Sequence, residues 1–138
     1  MKLHIVKPEQ ESIENYTRVD ANPDSLDLSK VSDNECTMIL ANDILDLFHI
    51  DNVPQLLEHL VKKIRMGGEL VVGGTDVRLF GKAVSNDQMD ELSASRLIAS
   101  AQSMTTFEQT SGILKAMGLK MLSAQISGIH YEIKLSRG

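Results

Sequence analysis

A chain of 138 residues can bury one hydrophobic core but not two, so a single domain over 1–138 is expected. Hydrophobic residues make up 42% and charged residues 24%, a globular balance that excludes disordered, collagen-like and coiled-coil chains. The net charge of −5 is uneven: from Asp20 to Glu58 nine acids accompany one base, Lys30, which opposes binding to phosphate backbones.

The absence of tryptophan leaves few platforms for stacking single strands, so no nucleic-acid partner is expected. No apolar run approaches the roughly 18 residues of a membrane span, and no cleavable leader is expected before the first strand-like segment. These features predict a cytoplasmic protein without a membrane partner. The lone cysteine, Cys36, excludes a disulfide framework and a cysteine-rich zinc site. Four scattered histidines without nearby carboxylate spacing predict no metal site.

Lys2-Leu3-His4-Ile5-Val6 alternates as a short strand ending before Pro8. Only Lys7 to Asn15 separates it from a second strand, Tyr16 to Asp20, too little for a full crossover helix. Asn22-Pro23-Asp24 is a turn, followed by a winding segment through Leu28 and Val31. Thr37 to Ala41 is a continuous apolar run, as for a strand covered on both faces. Val53, Leu56, Leu57, Leu60, Val61 and Ile64 form one helical stripe, with Pro54 in the first turn, Asp51 or Asn52 as cap and Gly67-Gly68 as the stop. Glu69 to Val72 is a further buried strand, released by Gly73-Gly74. From about Ser85 to Met104 the pattern predicts a long helix with Ser85 and Gln88 as a capping box. Thr106 and Gln109 repeat that spacing before a shorter helix stopped at Gly118. The tail is an antiparallel hairpin in which Leu122, Ala124 and Ile126, then Ile129, Tyr131, Ile133 and Leu135, alternate with polar residues. The fold class is α/β: a Rossmann-like three-layer sandwich with a mostly parallel sheet and a C-terminal antiparallel hairpin.

Particular segments carry a family resemblance. Asp33 to Leu45 resembles the fourth strand, and the loop leaving it, of class I S-adenosylmethionine-dependent methyltransferases. Val53 to Arg65 with Met66-Gly67-Gly68-Glu69-Leu70 resembles the helix and turn before that family's fifth strand, with Met66 where proline is usual. Phe107 to Gly118 and the hairpin from Lys120 to Arg137 resemble its last helix and reversed last strand. Lys2-Leu3-His4-Ile5 and Arg18-Val19-Asp20 resemble the compact members assigned to surface-polysaccharide biosynthesis. The chain departs from the family at the first loop, where glycines let the backbone approach the cofactor. All nine glycines here lie at or beyond Gly67, and the loop reads Val6-Lys7-Pro8-Glu9-Gln10-Glu11-Ser12. The glycine loop is degenerate, and the family's histidine after the fourth strand is absent.

The resemblance implies S-adenosylmethionine as cofactor, with Val6, Asp20, Ala21, Asp27, Leu28 and Asn42 around it. Asp20 would accept from the ribose hydroxyls, although a strand-end turn also explains it. Asp27 and Leu28 would bracket the adenine, and Asn42 with Asp43 would hold the sulfonium or orient an acceptor. Helix capping is the competing reading for Asn42 and Asp43. His49, near the expected substrate mouth, is the candidate general base. The Gly73-Gly74-Thr75-Asp76 turn either lines the pocket or only reverses the chain. Two functions follow: methyl transfer to an oxygen or nitrogen of a small molecule or sugar, or a catalytically degenerate fold retained as a binding or scaffold subunit. A homodimer, through the hairpin edge or the 85–104 helix, and a partner subunit are compatible with both.

Overall fold

The computed structural model describes residues 1–22 and 26–138. Pro23 and Asp24 of the expected turn lie outside the described residues. Strands β1 (Lys2–Val6), β2 (Thr17–Asp20), β3 (Cys36–Ala41) and β4 (Ile64–Thr75) run parallel. The hairpin of β5 (Leu119–Ser127) and β6 (His130–Arg137) completes a six-stranded sheet of order β2-β1-β3-β4-β6-β5. β6 is antiparallel to both β4 and β5. The α/β architecture with a mostly parallel sheet and a reversed C-terminal hairpin is therefore the one observed.

The core lies on one face of this sheet. Leu3, Ile5, Ile39, Leu70, Val72, Ile133 and Leu135 are fully or almost fully buried there. Helix α1 (Val53–Lys63) contributes Leu56, Leu57, Leu60 and Val61 to the same cluster, and α4 (Phe107–Ala116) contributes Leu114. Lys62 and Lys63 occupy the last turn of α1, where the helix dipole favours cations. Pro54 lies in its first turn, but Asn52 makes no side-chain cap. Gly67 adopts φ +83°, which lets β4 shift register between its pairing of Ile64 with Cys36 and of Glu69 with Met38.

The opposite face is less completely covered than the apolar run at Thr37–Ala41 implied. Met38, Leu40 and Val71 are half-buried there, and Lys134 pairs with Glu69 at 3.4 Å across the same surface. Nearer the β2 edge, the loop 7–16 folds over β1. The Ile13 N–H donates to His4 Nδ1 at 3.1 Å, and Tyr16 meets the same ring edge-on.

Ile64, Gly67-Gly68 and Gly73-Gly74, expected to end the α1 stripe, stop the helix and release the strand, all lie inside β4. Two larger expectations fail for identifiable reasons. The predicted long helix is two: α2 (Val77–Ser85) and α3 (Glu91–Ser100). Asp76 caps α2 by accepting from the N–H groups of Arg78 and Leu79, and Asp90 caps α3 through Ser93. Ser85 is thus the last residue of a helix, and the break follows at Asn86-Asp87, where Asp87 has φ +57°. Thr106, in contrast, does cap α4 by accepting from Gln109 N–H at 3.1 Å. In the hairpin, Tyr131, Ile133 and Leu135 are buried, but Leu122, Ala124 and Ile126 are exposed. β5 is an edge strand with a register shift between Met121 and Ser123, and its Leu119 and Met121 reach the core instead.

Two stability predictions follow from this packing. Leu57→Ala should lower unfolding free energy in urea by about 2–5 kcal/mol, while Leu92→Ala, at a position 61% exposed, should change it by less than about 0.5 kcal/mol. Burial, with Arg18 nearby, holds the His4 imidazole below its ordinary value of 6.5. The unfolded chain therefore takes up a proton first, so the contribution of His4 is present above pH 6.5 and lost as pH falls below it. Protonation also removes the acceptor that Ile13 uses. Urea titrations across acidic pH should show this loss, and His4→Gln should flatten it.

Candidate functional site

The strand order reverses between β1 and β3, where open α/β sheets bind ligands beyond the carboxyl ends of their strands. Val6, Asp20 and Asn42 all lie at this edge. Val6 is fully buried and its carbonyl accepts from the N–H of buried Ala21 at 2.8 Å, locking the ends of β1 and β2 together. The Asp20 carboxylate meets Arg18 Nε at 2.7 Å, and Arg18 Nη2 donates to the carbonyls of Pro8 at 2.9 Å and Lys7 at 3.4 Å. Arg18 thus ties the first loop to the end of β2.

The sequence-derived residues are divided among several cavities. Asp20 and Asp27 line one of about 410 Å³ with Arg18, Asn22 and Lys30. Asp27 and Leu28 also line a cavity of about 450 Å³ against His59, Lys62 and Lys63 of α1. The Ser29 hydroxyl at 2.6 Å, then its backbone N–H, hold the Asp27 carboxyl below the usual range. Asn42 lines a third, polar cavity of about 150 Å³ with Asp43, Gln125, His130 and Glu132. Its amide donates to Glu132 across ninety residues of sequence. Neither Asn42 nor Asp43 caps a helix, since Ile44 precedes the 3-10 turn Leu45–Leu47. His49 is exposed, precedes the 3-10 turn Ile50–Asn52 and lines none of these cavities. Its neighbour Ile50 borders a fourth, apolar cavity of about 450 Å³ with Val77, Phe80, Ile98 and Met104.

A second group of hydrogen-bonded polar side chains surrounds the end of β4. Asp46 accepts from the Thr75 N–H at 2.9 Å and hydroxyl at 2.5 Å, and the same hydroxyl oxygen lies 3.3 Å from His130 Nδ1. Buried Asp76 accepts from Phe107 N–H at 2.9 Å besides capping α2. The Tyr131 hydroxyl meets those of Thr105 at 2.5 Å and Thr110 at 2.8 Å, and burial pushes its phenol up. In the sequence only the Gly73-Gly74-Thr75-Asp76 turn marked this region. Asp46, Thr105 and His130 are too far apart in the chain to be read as a group. Burial in β3 pushes the Cys36 thiol up, away from nucleophilic use. Among the described residues, no group of three His, Cys, Asp or Glu side chains could hold a metal ion.

The end of β2 offers a hydrogen-bond acceptor of the kind that the ribose of an adenosyl cofactor would need. The Asp20 side chain is 55% exposed and its partner Arg18 34%, so their ion pair is worth about 1 kcal/mol or less and a ribose diol can compete for the carboxylate. The adjacent cavity, about 410 Å³, is within the usual size of a ligand site. The methionine part is served less well, because the Val6 carbonyl is engaged by Ala21 and the Lys7 and Pro8 carbonyls by Arg18.

No family model matches the sequence, and no curated protein matches it. Solved structures do match. An O-methyltransferase family protein from Burkholderia thailandensis is 15% identical with a TM-score of 0.61, over 88% of this chain and 36% of that one. A SAM-dependent methyltransferase from Archaeoglobus fulgidus is 12% identical with a TM-score of 0.60, over 89% of this chain and 68% of that one. Magnesium protoporphyrin IX methyltransferase from Synechocystis PCC 6803, with bound SAH, is 12% identical with a TM-score of 0.54, over 81% and 48%. The likeness is one of fold: this chain shares a Rossmann-like sheet with these proteins, while spanning about a third of the first of them and two thirds of the second. No helix among the described residues is long and apolar enough to cross a membrane.

Tyr131→Phe should leave the buried Thr105 and Thr110 hydroxyls short of a partner and cost about 1–3 kcal/mol in urea unfolding. Phe107→Leu, which removes the edge-on ring contact with Tyr131, should cost less.

Proposed function

We propose that the chain binds S-adenosylmethionine at the carboxyl ends of β1, β2 and β3 and carries a methyl group to an oxygen or nitrogen of a small molecule. The observation that carries this reading is Asp20, a half-exposed carboxylate at the carboxyl end of β2, one strand from the reversal of strand order and beside a ligand-sized cavity that runs along β2. Asp20 would hold the ribose, Asp27 and Leu28 would border the adenine, and Asn42 would lie toward the acceptor. Val6 and Ala21 act as the buried floor that fixes the ends of β1 and β2. The cofactor supplies an already activated methyl group, so this chain's contribution is chiefly alignment and management of the acceptor's proton. A sugar is one acceptor within this class, and a cytoplasmic setting belongs to the same proposal.

A second reading has its own observation. Arg18 bonds the first loop to the end of β2, and that loop contains no glycine. A chain that lost the cofactor's methionine site would keep the fold as a binding or scaffold subunit for a partner, or as a homodimer.

Calorimetric titration with S-adenosylhomocysteine separates the two. Binding should be saturable, and Asp20→Ala should weaken it about tenfold or more, the value of a hydrogen bond to a charged group. No heat from a demonstrably folded protein would overturn the cofactor reading in favour of the scaffold.

A further inference from the structure

We infer that His130 is the proton-accepting base of a small amine site at the carboxyl ends of β3 and β4 and the amino end of β6. Its use in methyl transfer rests on the reading above, but its geometry does not. Asp46 grips Thr75 twice, at the backbone N–H and at the hydroxyl. A carboxylate has no proton to donate, so the single hydroxyl hydrogen of Thr75 is committed to Asp46. Thr75 Oγ1 then presents only lone pairs to His130 Nδ1, 3.3 Å away. Nδ1 must carry the ring hydrogen, which leaves the neutral ring's lone pair on Nε2. Asp46 and Thr75 are therefore positioning residues for His130.

Two features hold the positioning group in place. A Cβ at Gly74 would lie 3.0 Å from Asp46 Oδ1 and 3.2 Å from Leu45 Cβ, so glycine lets Asp46 sit against the end of β4 without shifting. The Asp46 carbonyl in turn accepts from Gln102 N–H at 2.8 Å, tying it to the segment after α3.

The cavity beside His130 has a definite chemical preference. Asp43 and Glu132 line it, and none of its described lining residues is Lys or Arg. Asn42 donates to Glu132 Oε1, orienting that carboxylate. Two carboxylates without a fixed cation attract an ammonium group and repel an anion. A volume of about 150 Å³ admits a head group of a few heavy atoms. The base step balances simply. An N–H bond of the ammonium breaks, an Nε2–H bond forms on His130, the electron pair stays on the amine nitrogen, and the proton later leaves to water. The neutral amine is the nucleophile that methyl transfer to nitrogen requires.

The test is nitrogen-15 NMR of ring-labelled histidine in the full chain without cofactor, with His130 assigned by its loss in His130→Gln. In alkaline buffer wild type and Thr75→Ser should show the Nδ1–H tautomer, and Thr75→Val a mixture. Propylamine should shift His130 saturably, about tenfold more weakly after Glu132→Gln, whereas propionate and propanol should not. An Nε2–H tautomer in wild type, or an equal response to propionate, overturns the assignment; if Thr75→Val does not fold, those two measurements decide alone. Because no cofactor is present, a negative result here alongside saturable S-adenosylhomocysteine binding condemns only His130, and the reverse condemns only the cofactor reading.

Discussion

The last residues of β4 pass between a parallel neighbour and an antiparallel one, and at Gly73 only glycine fits that passage. A Cβ on Gly73 would collide with the Tyr131 carbonyl oxygen, while one on Gly74 would press on Asp46 and Leu45. With both side chains absent, β6 can pair with β4 along seven positions from Glu69 to Thr75. That pairing sets Thr75 opposite His130, and Tyr131 opposite Gly74. The arrangements of Asp46 around Thr75, of Asp76 above α2 and of Thr105 and Thr110 around Tyr131 all depend on this close approach.

The carboxyl edge consequently has two ends of different physical character. At the β2 end, Arg18 and Asp20 form an exposed pair of small energy, open to competition from a polar ligand. At the β4 end, the hydrogen bonds of Asp76, Thr105, Thr110 and Tyr131 are buried, where leaving a group unpaired costs about 1–3 kcal/mol. One end is suited to exchange a ligand, and the other to hold reacting groups still. The proposed methyl transfer would use both, since the demethylated cofactor must leave after each turnover while the acceptor must be aligned closely with the methyl group.

The acidic stretch from Asp20 to Glu58 is compatible with that division. Several of its carboxylates are engaged, Asp27 locally by Ser29, and Asp33 and Asp46 across the fold by Lys63 at 2.9 Å and by Thr75. The net negative charge is thus partly structural. What it leaves near Asn42, in the form of Asp43 and Glu132, biases the polar cavity toward cations.

Strands, the α1 stripe, the Thr106 cap and the reversed hairpin were legible because each depends on periodicity or on a cap within four residues. The long helix failed where a competing cap, Asp76, lay nine residues before the expected one and Asp87 broke the run. The exposure of Leu122, Ala124 and Ile126 was hidden for another reason: alternation says that side chains share a face, but not whether a helix covers it. Asp20 and Asn42 could be placed at strand ends, yet only the folded chain shows Arg18 on Asp20 and Glu132 on Asn42. Asp46, Thr75 and His130 become neighbours through β-pairing over 55 residues and a turn packed onto Gly74. The sequence by itself thus determined the order and type of the elements, which are local free-energy choices. Tertiary structure alone decided which polar groups meet, because hydrogen-bond partners distant in sequence are selected by sheet register and by the absence of a side chain where two elements touch.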